Sequence, residues 1–154
     1  MENLIDDTLT GVTKAEYVEV EPNVHLHITD AGEGQPIVLI HGWPLSDEMF
    51  EYQYNDLVNK DFRAIGITLR GFGKSDKPYG SSSYDTHTSD INKVLNKLDI
   101  KDAVLVGFSM GGAMPSAICR YIKKLIFLNW FYAGQLHPSG HNVMIFHTIS
   151  RKMR

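Results

Sequence analysis

Three short, nearly uninterrupted apolar runs constrain the fold of this chain more than any other feature: Pro36-Ile37-Val38-Leu39-Ile40, Phe62 to Thr68, and Ala103 to Val106. A strand that is apolar on both of its sides has to be buried on both faces, as only the central strands of a parallel sheet are. Helical patterns separate the runs. Between the first two, Ser46 is placed to cap a helix that continues to about Asn59, with Asp47 and Glu48 in its first turn and Met49, Phe50, Tyr54, Leu57 and Val58 as its apolar face. Between the last two, Ile91, Val94, Leu95 and Leu98 recur at helical spacing within Tyr84–Leu98. Strands alternating with helices predict an α/β fold, a mostly parallel sheet with helices on both faces. Ahead of it, E-Y-V-E-V-E (16–21) and V-H-L-H-I (24–28) alternate with period two around Pro22-Asn23, which predicts an N-terminal antiparallel hairpin.

With 154 residues and 43% hydrophobic content the chain has material for one core. Residues 1–15 form an N-terminal extension without a basic segment followed by an apolar run, and nowhere is there a run of the ~18 apolar residues that a membrane span needs. We therefore expect a cytoplasmic protein with no membrane partner. Cys119 is the single cysteine, which excludes an intrachain disulfide and a thiol metal cluster and leaves it as a small buried hydrophobe. Charge is divided unevenly. All 18 acidic residues lie at or before Asp102, whereas residues 113–154 carry Arg120, Lys123, Lys124, Arg151, Lys152 and Arg154 and no acid. This basic tail lacks a groove-reading module, so nucleic acid is not an expected partner.

The chemistry concentrates in Gly107-Phe108-Ser109-Met110-Gly111-Gly112, directly after the apolar strand A-V-L-V. A serine between glycines suits a sharp strand-to-helix turn: the small neighbours allow a strained backbone that lifts the hydroxyl off the sheet. Ser109 is the expected nucleophile.

The motifs H-G-W-P (41–44), L-R-G-F-G-K-S-D-K-P (69–78) and G-F-S-M-G-G (107–112), in this order, resemble those of α/β-hydrolases, most closely the serine arylesterase and cofactor-free haloperoxidase (perhydrolase) group. The resemblance covers approximately Glu16 to Gly112 and implies a partial α/β-hydrolase fold over 16–112. It also implies that the backbone N–H groups of Trp43 and Met110 form an oxyanion hole, that His41, Gly42, Gly107 and Gly111 support the elbow and the loop before it, and that no metal or organic cofactor takes part. Pro44 after Trp43 looks like perhydrolase-prone members. The family commonly has an acidic residue where this chain has Thr68. His41 lies on the wrong side of the elbow to be the base and reads as structural, tying the oxyanion loop in place. His25, His27 and His87 read as surface residues. His137, His141 and His147 follow the nucleophile, but no carboxylate follows Asp102 to orient a base or complete a metal site.

Beyond Gly112 the likeness fades. Pro115 would fall in the second turn of the helix after the elbow, at a cost of about 3 kcal/mol, and the charge break begins at the same point. Read in a shifted frame, codons compatible with Gly134–Thr148 permit A-A-A-P-I-W-T-Q-R-D-D-F-P-Y, and upstream stretches permit an amphipathic helix and a buried strand like the family's. We expect residues 113–154 to be an atypical, frameshifted basic tail; coding DNA whose shifted frame opens no long reading frame with a later Asp and His would refute this. The expected function is that of a truncated serine hydrolase acting on a small-molecule ester or carboxylic acid, with nucleophile and oxyanion hole but no identifiable triad acid or base, and inactive alone. The alternative is a non-catalytic binding module on the same half-fold. Lys124–Trp130 could pair as a last strand, whose apolar open edge would promote self-association.

Overall fold

The structure, a computed structural model, describes residues 14–80, 82–113 and 122–128. Most of the N-terminal extension, Pro115, Cys119, Trp130, His137, His141 and His147, and most of the basic tail lie outside the described residues.

The hairpin forms as the alternation requires. Strand β1 (Lys14–Glu21) pairs antiparallel with β2 (Val24–Ala31), and Asn23 turns the chain at φ 64°. The apolar runs become β3 (Gln35–Ile40), β4 (Phe62–Ile67) and β5 (Ala103–Phe108). A sixth strand, β6 (Ile122–Leu128), lies parallel to β5 and begins two residues before the stretch expected from sequence. The sheet order is β1-β2-β4-β3-β5-β6, with β2 antiparallel to β4 and every pair from β4 onward parallel.

Because side chains alternate along a strand, the central strands feed two cores. Val38 and Ile40 of β3 and Leu105 of β5 join Leu26, Ile28, Ile65 and Ile67 beneath helix α2 (Tyr84–Lys97), which contributes Ile91, Val94 and Leu95. On the other face, Ile37, Leu39, Val104, Val106 and Phe108 pack with Phe50, Tyr54 and Leu57 from the segment around helix α1 (Glu51–Val58). Helices therefore cover both faces. Helix α2 begins at Ser83, whose hydroxyl accepts the Thr86 N–H at 3.2 Å.

Three expectations are corrected. Ser46 makes no capping bond: residues Asp47–Phe50 form a 3₁₀ turn, α1 starts only at Glu51, and the Asp47 carboxylate is turned into the protein, where hydroxyl donors await it. His27 is buried, not on the surface, because its strand runs beneath the loop after β4: its N–H donates to Ser75 Oγ at 2.8 Å and its ring meets Tyr17 edge-on. His87 is buried as well, because it lies on the inward side of the first turn of α2, against Phe72. His25 does reach solvent, beside Asp76.

Candidate active site

The parallel strands β3, β4 and β5 all end on the same rim of the sheet, and the sequence motifs lie in the loops that leave those ends. At the end of β5 the chain turns through Ser109 into a 3₁₀ turn, Ser109–Ala113. Ser109 has φ 50°, in the left-handed region. Among the described residues the other non-glycine positions with positive φ are Asn23, Asp61, Asp99 and Asp102, residue types whose short polar side chains tolerate that region. Serine has less of this relief, and a residue held there costs on the order of 1–3 kcal/mol unless its surroundings impose it. The side chain of Ser109 is exposed at the rim.

Glycines impose the turn. A Cβ on Gly107 would lie 2.5 Å from Gly112 Cα, and one on Gly111 would collide with the carbonyl oxygens of Ile40 and His41. The elbow thus lies directly on the end of β3. Gly42 admits the next loop: a Cβ there would be 2.8 Å from the Phe108 ring and 3.1 Å from Ser109 Cβ. Residues Gly42 to Leu45 form a turn closed by the Leu45 N–H donating to Gly42 O at 2.9 Å. Trp43, inside that turn, keeps its N–H outside the closing bond. Met110, second in the 3₁₀ turn, has an N–H of the kind that a helix start leaves without an intrahelical acceptor.

His41 is fully buried. Its Nδ1–H donates to Gly42 O at 2.9 Å, and its Nε2 accepts the Leu69 N–H at 3.0 Å. Two such partners allow only the neutral ring, and burial holds its pKa below the usual histidine range against the opposing pull of the Gly42 carbonyl and Asp47. This imidazole links the loop after β3 to the loop after β4.

Two further polar clusters stand behind the rim, and sequence reasoning assigned a role to neither. Asp47, 1% exposed, accepts from Thr29 Oγ1 at 2.5 Å, from Tyr54 Oη at 3.2 Å and from Thr68 Oγ1, with His27 Nδ1 at 3.3 Å. Burial alone would raise its pKa, but the hydroxyl donors and His27 together outweigh it and leave the carboxyl below its ordinary value. Arg70 donates to both oxygens of Asp90, at 2.5 and 2.7 Å, and pairs with Glu21 at 2.7 Å, so that the loop after β4 is fastened to α2 and to the end of β1. Asp90 did leave a signal, a charge beside the apolar stripe of α2. Asp47 left none, since its partners are 7 to 21 residues away in sequence.

Among the described residues no cluster of three or more His, Cys, Asp or Glu could hold a metal ion, and no helix is long and apolar enough to cross a membrane. The rim combines an exposed serine in a strained turn with the loop after β3 pressed against it, and His41 ties that loop to the one after β4.

Comparison with known proteins agrees with this geometry. Residues 35–129 match the alpha/beta hydrolase fold, reaching past Gly112 to the end of β6. The AB hydrolase superfamily protein YisY of Bacillus subtilis is 48% identical over 108 residues, which are 70% of this chain and 39% of that protein. A protein named putative non-heme chloroperoxidase from Synechocystis is 42% identical over 69% of this chain and 37% of its own length. The structure of an esterase from Exiguobacterium antarcticum superposes with a TM-score of 0.71 at 38% identity, over 74% of this chain and 44% of the esterase. The chain thus spans about two fifths of the length of the relatives it matches. With the strained serine turn at the end of β5, the sheet order and the matched residues in agreement, this chain belongs to the alpha/beta hydrolase fold family.

Proposed function

We propose that this chain carries the nucleophilic half of a serine hydrolase that transfers the acyl group of a carboxylic ester, with Ser109 as nucleophile and the N–H groups of Trp43 and Met110 as oxyanion donors. The observation that carries this reading is the Ser109 backbone at φ 50° with its side chain exposed, pressed against Gly42 of the loop that bears Trp43. Attack by Ser109 Oγ on an ester carbonyl places negative charge on the carbonyl oxygen, and preorganised N–H donors stabilise that charge without reorganising. The relatives named for haloperoxidase and esterase activity favour a small-molecule acyl substrate and leave peroxide as an alternative acceptor to water.

A serine hydroxyl becomes a strong nucleophile only when a base takes its proton. His41 cannot do so, since both its nitrogens are committed to Gly42 and Leu69, and no acid follows Asp102 in the sequence. The expected behaviour of the purified chain is slow, stoichiometric labelling by a fluorophosphonate probe, abolished by Ser109→Ala, with turnover of an activated aryl acetate close to background. Absence of labelling in a chain that still binds a carboxylate would favour the second reading, a binding module. Robust turnover lost in Ser109→Ala would instead show that a base is present, with His137, His141 and His147 the first to replace.

A further inference from the structure

We propose that Asp47 is a positioning residue for acyl transfer at Ser109, fixing the loop His41–Asp47 so that the Trp43 N–H faces the reacting oxygen. The inference rests on the assignment of Trp43 as an oxyanion donor and adds what holds that donor in place. Side-chain packing does not hold the tip of the loop, which is closed by the single Leu45 N–H to Gly42 O bond: Trp43, Pro44 and Leu45 are all exposed, Trp43 at 70%. Only the ends of the loop are buried, and both are fastened to consecutive residues at the end of β4. His41 accepts the Leu69 N–H at one end. At the other end the tie to Thr68 is reciprocal: the Asp47 N–H donates to Thr68 Oγ1 at 3.1 Å, while that hydroxyl donates its own hydrogen to the Asp47 carboxylate. The remaining carboxylate capacity is taken by Thr29 and His27 from β2 and Tyr54 from α1. Gly66 makes the Tyr54 bond possible, since any side chain there would occupy the position of the Tyr54 hydroxyl. One carboxylate thereby registers the loop against β2, β4 and α1 at once. A buried anion with several donors is stiff, because moving it would strand each donor without a partner.

The test separates formation of an oxyanion from access to the nucleophile. In the full chain, Ser109→Cys together with Cys119→Ser leaves a single thiol, at position 109, and a thiolate needs less help from a base than a hydroxyl does. Acylation by an activated aryl acetate forms a C–S bond through a tetrahedral oxyanion and expels aryl oxide. Alkylation by iodoacetamide forms a C–S bond by direct displacement of iodide, with no oxyanion. The ratio of the two rates at one pH therefore reports the oxyanion donors. We expect this ratio to exceed that of a small free thiol. In this background Asp47→Asn and the near-isosteric Thr68→Val should each lower it about tenfold, since misplacing a donor costs less than the ~10²-fold of removing one. The double variant should be no worse than Asp47→Asn, because the tie that Thr68→Val removes is one of those that Asp47→Asn already weakens. Amide hydrogen exchange should rise in residues 42–46 of both variants and stay unchanged in β3 and β5. Folded variants with the parental ratio, additive losses, or unchanged exchange in residues 42–46 would each overturn the role of Asp47 alone. A parental ratio equal to that of the free thiol would overturn the assignment of Trp43, and the positioning role with it.

Discussion

Ser109 lies between two regions that reach a fixed geometry by opposite means. The elbow from Gly107 to Gly112 is held by the absence of side chains: its backbone rests on the carbonyls of Ile40 and His41, and Ser109 sits between those glycines at φ 50°. The loop from His41 to Asp47 is held by side chains that reach 21 and 28 residues along the chain to Thr68 and Leu69. The first arrangement tolerates no added atom, because the clashing partner is main chain and cannot rotate away. The second loses its grip gradually, one hydrogen bond at a time. The behaviour of variants should differ accordingly.

The largest effect is expected from Gly111→Ala. Its Cβ would overlap the Ile40 carbonyl oxygen and come within 2.6 Å of that of His41, so β3 and the elbow have to separate. We expect a loss of about 3 kcal/mol in urea unfolding and complete loss of fluorophosphonate labelling. A variant with parental stability would mean that the elbow does not rest on β3 as described.

A smaller effect is expected where a side-chain tie is cut. Asp90→Asn keeps the shape but takes away the charge that faces Arg70, whose side chain is 4% exposed. Because Glu21 still pairs with the guanidinium, the cost should be about 2 kcal/mol, nearer that of a charge-assisted hydrogen bond than of a fully orphaned buried charge. A loss as large as that of Gly111→Ala would remove the distinction between segments held by main-chain packing and segments held by side-chain ties.

The smallest effect concerns a side chain buried without full satisfaction. His87 Nε2 is 3.1 Å from Ser82 Oγ, while its Nδ1 is buried with no partner. Burial lowers the pKa of His87, as it does that of His41. An unfolded histidine, with pKa about 6.5, then binds more protons than the folded one between that value and the lowered one. Stability is thus full above about pH 6.5 and declines as the pH falls through this window. His87→Leu should be more stable by about 1 kcal/mol at neutral pH, since it removes an unsatisfied buried group, and its advantage should widen below pH 6.5. A gap that narrows with acid would show that the imidazole is not buried neutral. Asp47 acts in a lower range. Its lowered pKa stabilises the fold above the ordinary carboxylate value of about 3.9 and is lost as the pH falls below it, so Asp47→Asn should flatten the acid limb of the stability profile.

What the sequence determined by itself was whatever depends on neighbours along the chain. The apolar runs specified β3, β4 and β5, since a short segment with no polar side has to be buried on both faces. Helical spacing of Ile91, Val94 and Leu95 specified α2, and the glycines around Ser109 specified a turn that only small neighbours allow. Tertiary structure decided the rest, for the reason that a polar residue is equally at home in water or in a buried network. Nothing local distinguishes an Asp47 that favours a helix start from one that collects hydroxyls from β2, β4 and α1, or a surface His27 from one roofed by Ser75 and Tyr17. The choice is made when the strands come together, because a carboxylate taken out of water is stable only where the fold has already assembled its donors.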